Sequence, residues 1–178
     1  GMAEAFDPNK FPIAVFEKFI FGLKGKKAVY YQLSKLPKEY CIYTDIKILD
    51  VIIDFLIIGP TGIYSITSKS HEVTLGYNGE ELTKWKQPFE ENFLNQANSK
   101  ASILKKYLHI KLNKYFDITP ILVFSNRFAK MTFGLSPIEH VFVIPKKLLL
   151  KLITEGSNIL NVSETEEIKK ILELTQKT

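Results

Sequence analysis

Residues 42–69 read IYTDIKILDVIIDFLIIGPTGIYSITSK and are the part of the chain that is most informative about the fold. It is rich in the β-branched and aromatic residue types that favour strands. The turn residues GPTG at 59–62 interrupt it, since glycine and proline are the strongest local breaks of a regular element. The pattern therefore predicts three consecutive strands, at residues 39–49, 51–59 and 63–69.

Helices are predicted on both sides of these strands. Residues 24–36 (KGKKAVYYQLSKL) carry apolar side chains at helical spacing and end before Pro37, which stops the helix. Residues 93–112 repeat apolar side chains at the three- and four-residue intervals of an amphipathic helix. Segment 71–92 shows no clear period, and we expect a hairpin extension or a loop there.

Two further strands are predicted in the C-terminal half. The pattern breaks at 117–120 (DITP), and the apolar run 121–124 (ILVF) then indicates a strand buried on both faces. Residues 140–144 (HVFVI) indicate a short strand after it.

Two helices are predicted to close the chain. Pro145 suits the first position of a helix that runs to Glu155. Ser163 and Glu166 form a capping-box pattern that opens a last helix, ending near Thr175. The order α-β-β-β-α-β-β-α-α predicts an α/β fold in which helices flank a mixed central sheet.

Composition predicts one globular domain. The chain has 178 residues, of which 46% are hydrophobic and 24% charged, and this excludes a disordered tail. Cys41 is the single cysteine, which is typical of a reducing compartment. Residues 11–23 carry charges in mid-stretch and no cleavage site, so we expect a cytoplasmic protein without a signal peptide. Residues 1–23 are expected to pack on a single domain at 24–178.

Charge and hydropathy restrict the partners. The longest uncharged run, 55–68, contains two glycines and a proline and is too short for a membrane span. The net charge is +5, and Arg127 is the only arginine among 24 basic residues. Lysine binds phosphate as a point charge, whereas base edges favour the arginine fork. Any nucleic-acid contact is therefore expected to be with the backbone, and a protein partner remains an alternative.

Several of these features together resemble a known family. The stretch 42–69, the glycine at the start of the first helix (Gly25) and NFLNQA at 92–97 are similar to the nuclease-related domain (NERD) family of the PD-(D/E)XK nuclease-like superfamily. The resemblance extends over residues 24–126. It implies a restriction-endonuclease-like αβββαβ core, a divalent metal at one sheet edge and phosphodiester hydrolysis.

The resemblance also implies site residues. The family's strand aspartate matches Asp54, which would be the metal ligand, and its lysine matches Lys69. The glutamine of the family's Asn-Pro-x-x-Gln pattern matches Gln96, with Phe93 in place of the proline. These three are the candidate catalytic positions.

Two acidic positions of the family pattern are not acidic in this chain. Thr67 stands where the family has a glutamate two residues before the lysine, and Lys26 stands where it has a glutamate after the helix glycine. The four positions, with Asp54 and Lys69, then carry net charge +1 instead of −2. Magnesium needs hard oxygen ligands, so we expect no cofactor, and Mg²⁺ only if activity is retained.

The strand pattern predicts how these residues meet. Residues two apart share a face of a strand, so Thr67 and Lys69 point the same way, toward Asp54 of the neighbouring strand. A carboxylate in an apolar strand is costly to bury without a partner. Asp54 is therefore either a functional remnant or half of an ion pair with Lys26 or Lys69.

Other polar residues are further candidates for the site or for structural roles. Glu72 or His71, just beyond Lys69, could act as relocated metal ligands, whereas His109 and His140 lie in apolar surroundings typical of structural residues. The nucleic-acid-binding candidates are basic residues and one tryptophan that could stack on a base, against the alternative of a solvated face. They are Lys24, Lys26, Lys27, Lys69, Lys84, Trp85 and Lys86.

The sequence is compatible with three functions. The favoured hypothesis is a catalytically inactive nuclease-fold domain that binds a nucleic-acid backbone or another phosphate-bearing partner. The alternatives are a Mg²⁺-dependent nuclease with a relocated acidic ligand, and a protein-interaction scaffold. Salt separates them, because backbone binding weakens steeply with ionic strength and an apolar interface does not.

Overall fold

A five-stranded mixed sheet organises the protein, for which a computed structural model describes residues 24–131 and 136–176. The strand order is β1-β2-β3-β7-β9. The first three strands are antiparallel neighbours, and β7 and β9 join in parallel. The strands are β1 Cys41–Ile48, β2 Val51–Gly59, β3 Gly62–Lys69, β7 Ile118–Phe124 and β9 Phe142–Pro145.

The turn between β2 and β3 depends on glycine. Gly62 has φ +143°, in a region that side chains rarely adopt. A Cβ on Gly59 would lie 2.2 Å from the Tyr40 ring. The glycines of the GPTG stretch therefore allow the tight hairpin that the sequence predicts.

Helices cover both faces of this sheet. The helix α1 at 24–33 packs Val29 and Leu33 against Phe55 and Ile66, together with α3 (Leu149–Thr154). The opposite face is covered by α2 (Phe93–Leu112) and α4 (Val162–Gln176). The alternation of side chains along β2 and β3 supplies both cores, which confirms the α/β fold with a mixed sheet flanked by helices.

Segment 71–92, for which the sequence predicts a hairpin extension or a loop, forms antiparallel hairpins that make up most of a second sheet, of order β6-β5-β4-β8. Its strands are β4 Thr74–Tyr77, β5 Leu82–Lys84, β6 Gln87–Pro88 and β8 Lys130–Met131. Two residues, Trp85 and Lys86, connect β5 to β6, and both have positive φ. Such turns normally carry Asn-Gly, so the sequence lacked the usual hairpin signal.

Strand boundaries differ from the prediction at β1, β7 and β9. The strand β1 begins at Cys41, two residues later than predicted. The strand β7 begins at Ile118 and contains Pro120, because its ladder with β9 starts only at Ile121 and Pro120 has a single neighbouring strand. The strand β9 begins at Phe142, since Glu139 and His140 have positive φ and bend the chain.

Two helix boundaries also differ. The helix of α1 ends at residue 33, three residues before the predicted end, and turns lead on to Pro37. Pro145 ends β9 instead of starting a helix. A 3-10 turn, Lys146–Leu148, follows it and leads into α3.

The predicted packing of residues 1–23 lies outside the described residues. Within 24–131 and 136–176, none of the helices combines the length and the apolar character that crossing a membrane requires.

The capping box of α4 involves a different residue pair from the predicted one. The Asn161 side chain accepts a hydrogen bond from the Glu164 N–H at 2.8 Å, and the Glu164 carboxylate accepts one from the Asn161 N–H at 3.2 Å. Ser163 lies inside the helix, which begins at Val162. The observed capping box has the same pair of reciprocal hydrogen bonds as the predicted one, but it lies two residues earlier and uses asparagine in place of serine.

Asn161→Ala is expected to lower the free energy of unfolding by about 1 kcal/mol, because it removes the acceptor for the Glu164 N–H. The matched control is Ser163→Ala, which is expected to leave stability within about 0.5 kcal/mol of the parent. Urea unfolding followed by circular dichroism measures both. Equal losses in the two variants would contradict this assignment.

Candidate functional site

An ammonium group lies between two carboxylates at the edge of the central sheet. The Lys26 Nζ, from α1, is 3.1 Å from Asp45 Oδ1 and 3.2 Å from Asp54 Oδ1. Asp45 belongs to β1 and Asp54 to β2. Of the two partners weighed for Asp54, the structure therefore pairs it with Lys26.

Asp45 is a site residue that sequence reasoning missed. The β1–β2 register pairs Thr44 with Phe55 and Ile46 with Ile53, which places Asp45 opposite Asp54. Its φ of 48° interrupts the ladder at this point. The available signal was a second aspartate in a strand of otherwise mostly apolar residues, and only the register shows that it faces the first.

Asp54 is well satisfied by hydrogen bonds. Its side chain is 15% exposed, and its Oδ2 accepts a hydrogen bond from the Ser68 N–H at 2.9 Å. The ladder of β2 with β3 runs from Gly59 and Gly62 to Phe55 and Ile66, and Thr67 follows Ile66 in β3. The Thr67 side chain is buried.

The two carboxylates stabilise the charged form of Lys26. Burial disfavours the charged form of Lys26, but the carboxylates of Asp54 and Asp45 outweigh it and raise the pKa of Lys26 above its ordinary value. Lys26 is therefore an ammonium at neutral pH.

Gly25 allows α1 to approach the sheet closely enough for this contact. A Cβ at Gly25 would lie 2.7 Å from the Ser125 Oγ and 3.2 Å from the Ser70 Cβ. The helix thus begins against the ends of β3 and β7, and Lys26 follows directly. This accounts for glycine at the start of the first helix.

The donor set around Asp54 does not fit a divalent cation. Two carboxylates are present, but an ammonium occupies the space between them, and the third acidic position is the buried Thr67. Among the residues that the structure describes, no three His, Cys, Asp or Glu side chains form a group that could hold a metal. Asp45 also cancels the net positive charge expected from the four family positions.

Lys69 and Lys84 form a second charged group, the basic cluster, around two phenylalanine rings. The Lys69 Nζ lies 4.5 Å from the centroid of Phe93, and the Lys84 Nζ lies 5.6 Å from that of Phe89. The centroids of the Phe89 and Phe93 rings are 4.8 Å apart. The small sheet therefore brings together two lysines that are fifteen positions apart in the chain.

The pKa of His71 is affected by the positive charges of the basic cluster. Its ring contacts Phe89 edge-on at 5.4 Å. Partial burial lowers the pKa of His71, and the charges of Lys69 and Lys84 lower it further, against the opposing effect of Glu91. The His71 ring also packs against Phe93, and Glu72 beside it is exposed. Metal ligation by either residue stays a prediction.

The other sequence candidates lie around these two groups. Gln96 is in the first turn of α2, which is capped by Asn92 and not by Gln96. Trp85 is 63% exposed at the tip of the β5–β6 turn, with Lys86 beside it. Lys24 and Lys27 are exposed on α1.

The two remaining histidines belong to α2 and to the bend before β9. His109 stacks on Tyr115 with the ring centroids 3.8 Å apart. His140 has a positive φ and is exposed, so the apolar surroundings that the sequence predicts for it are wrong.

Comparison with known proteins gives one match. The model of the family described as nuclease-related domain (NERD) matches residues 21–125, which include α1, the first three strands and α2. No curated protein matches the chain, and no solved structure matches it. The matched region spans more than half of the chain and contains both Asp54 and Lys69.

Proposed function

Because this chain belongs to the nuclease-related domain family, we propose that it is a nuclease-fold domain that binds a nucleic-acid backbone without cutting it. The observation that carries this proposal is the Lys26 ammonium held between Asp45 and Asp54. A lysine of this chain supplies the positive charge that the carboxylates need.

A fixed ammonium cannot replace a metal in hydrolysis. A divalent cation lowers the pKa of a bound water and polarises the scissile phosphate through open coordination positions. Lys26 has a single charge and no such positions, and its Nζ is already engaged by two carboxylates. These contacts support the proposal that the domain retains the nuclease fold but does not catalyse hydrolysis.

Backbone binding is assigned to the basic cluster rather than to Lys26. Lys69 ends β3 of the central sheet and Lys84 ends β5 of the small sheet, and neither has an ion-pair partner among the described residues. Lys86 and the exposed Trp85 continue this surface. Lysines recognise phosphate as point charges, so the expected binding is independent of base sequence.

One observation favours a second candidate, a Mg²⁺-dependent nuclease with a relocated acid. Asp45 is an additional carboxylate opposite Asp54, outside the four positions compared with the family pattern. Displacement of Lys26 would leave two carboxylates for a cation. Cleavage of DNA or RNA with Mg²⁺ or Mn²⁺ that is abolished by Asp54→Ala would establish this candidate in place of the first.

The binding proposal predicts a salt-sensitive complex that depends on the basic cluster. The variant Lys69→Ala/Lys84→Ala is expected to weaken binding of labelled single- and double-stranded oligonucleotides about tenfold and to reduce the salt slope by about 2. Fluorescence anisotropy between 50 and 200 mM salt measures this. Trp85, the only tryptophan, provides a second signal through its own fluorescence.

The matched control is Lys106→Ala/Lys170→Ala, which removes two exposed lysines from α2 and α4. It is expected to bind as the parent does. Equal weakening in both double variants would reduce the effect to net charge and contradict the assignment. Absence of salt-dependent binding in the parent would instead favour a protein-interaction scaffold.

A further inference from the structure

A cavity of about 500 Å³ opens beyond the carboxyl ends of two parallel strands. Phe124 ends β7 and pairs with Pro145 at the end of β9, and both line the cavity. Ligands of sheets with parallel strands commonly bind outside these ends, and the volume is within the range of about 300–1,000 Å³ that is typical of small-molecule sites.

The rim of the cavity is cationic. Arg127 follows β7, and Lys146 and Lys147 follow β9. Among the residues that the structure describes, no acidic side chain lines the cavity and none of these three cations has an ion-pair partner. Three unpaired cations around one opening attract an anion.

The position of the chain's only arginine is informative. The Arg127 guanidinium lies 4.6 Å from the centroid of the Phe128 ring, which is 54% exposed. Stacking orients the planar group and leaves its N–H donors free, and guanidinium matches phosphate in a bidentate manner. The adjacent Lys146 and Lys147 add point charges.

The interior of the cavity is mostly apolar. Phe124, Ala129, Met131 and Leu148 form its walls, and Ser125 and Asn126 supply polar groups beside them. Inorganic phosphate would satisfy the rim and leave these walls exposed to water. A ligand with a flat apolar body and a phosphate satisfies both.

We propose that this cavity binds a nucleoside phosphate, with the phosphate against Arg127, Lys146 and Lys147 and the base against the apolar walls. The ligand is either a free nucleotide or the phosphorylated terminal nucleotide of a strand. The site goes beyond the proposed backbone binding, since it contains no residue of the basic cluster.

The cavity and the basic cluster lie at the same end of the sheet. The Ser125 N–H donates a hydrogen bond to the Lys69 carbonyl oxygen at 2.8 Å, and the Ser125 Oγ donates to the same oxygen at 3.2 Å. A strand end that enters the cavity would therefore lie near Lys69.

Isothermal titration calorimetry with AMP, GMP, CMP and UMP tests the site, with adenosine and inorganic phosphate as partial ligands. At least one monophosphate is expected to bind about tenfold more tightly than either partial ligand, because both parts of the site are then filled. Oligonucleotides with and without a terminal phosphate distinguish the two sources. Preference for the free nucleotide or for the phosphorylated end each supports the site.

Variants test the two halves separately. Arg127→Ala and Lys146→Ala/Lys147→Ala are expected to weaken nucleotide binding at least about tenfold by removing phosphate contacts. Ala129→Phe is expected to block the base without changing the charge. Lys106→Ala/Lys170→Ala is the charge control, expected to bind as the parent does.

Two results would overturn the proposal. One is the absence of binding by all four monophosphates together with indifference to a terminal phosphate. The other is binding that none of the rim and wall variants alters. Lys69→Ala/Lys84→Ala is expected to leave mononucleotide binding unchanged, so failure of this site and failure of backbone binding are distinguishable.

Discussion

Replacing Lys26 with methionine is expected to lower the free energy of unfolding by about 1–3 kcal/mol. The substitution keeps an unbranched side chain and removes the charge, which leaves Asp45 and Asp54 facing each other without a cation. Losing one partner of a buried pair costs about 3–5 kcal/mol, and an exposed pair contributes about 0–1. Lys26 is 38% exposed and Asp54 15%, so an intermediate value is expected.

The pH dependence of the parent follows from the same pair. The pKa of Lys26 is raised in the folded protein, so its contribution is fully present below the ordinary lysine value of 10.5 and is lost as the pH rises through the folded value. The difference in stability between parent and variant is therefore expected to be constant from pH 7 to 9 and to shrink above 10.5. Urea unfolding at these pH values measures it.

Lys27→Met is the matched control, since Lys27 is the next residue on α1 and is exposed. This substitution makes the same change in charge and side-chain size as Lys26→Met. We expect it to lower the free energy of unfolding by less than about 0.5 kcal/mol. If the two variants were equally stable, Lys26 would be a surface lysine whose contacts contribute nothing, and the argument that it neutralises the carboxylates would fail.

Replacing Lys26 with glutamate is expected to create a divalent-cation site. The variant places a third carboxylate beside Asp45 and Asp54, and three hard oxygen donors are the ligands that Mg²⁺ and Mn²⁺ take in proteins. Without metal, the three like charges are expected to destabilise the variant by more than Lys26→Met does. Millimolar Mn²⁺ should restore the loss, because binding to the folded state stabilises it by linkage.

The measurement is the thermal midpoint with and without Mn²⁺, together with calorimetric titration of the metal. The parent and Lys27→Glu are the controls, and neither is expected to gain stability from Mn²⁺. Lys26→Glu/Asp54→Asn should lose the gain, since it removes one ligand. An equal response to Mn²⁺ in the parent would show that Lys26 does not exclude the cation and would favour the nuclease candidate.

Much of the fold was predictable from local patterns. The apolar stretch 42–69 with its glycine turn predicted three strands, and the apolar repeat predicted α2 at Phe93–Leu112 with the bounds that the structure has. These signals are local, because a period of two or of 3.6 residues is written into the chain itself. The family match agrees with the resemblance based on the same stretch.

The predicted boundaries were wrong where contact with another element sets the local structure. Pro120 lies within β7 because its position has one neighbouring strand, a fact that no local pattern contains. The turn at Trp85 and Lys86 closes a hairpin without the usual residues, because pairing of β5 with β6 sets its backbone. Both Asn161 and Ser163 are residue types that can cap α4. In the structure the Asn161 side chain accepts the hydrogen bond from the Glu164 N–H.

The candidate site divides in the same way. Local sequence patterns were enough to predict the strand that carries Asp54, the lysine that ends β3 and the helix glycine beside Lys26, since each depends on residue type and spacing along one element. Contacts between elements were needed to show that Asp45 faces Asp54, that Lys26 lies between them and that Lys69 and Lys84 lie against two adjacent rings. Charge interactions depend on distances in space, and strand register and the small sheet set those distances.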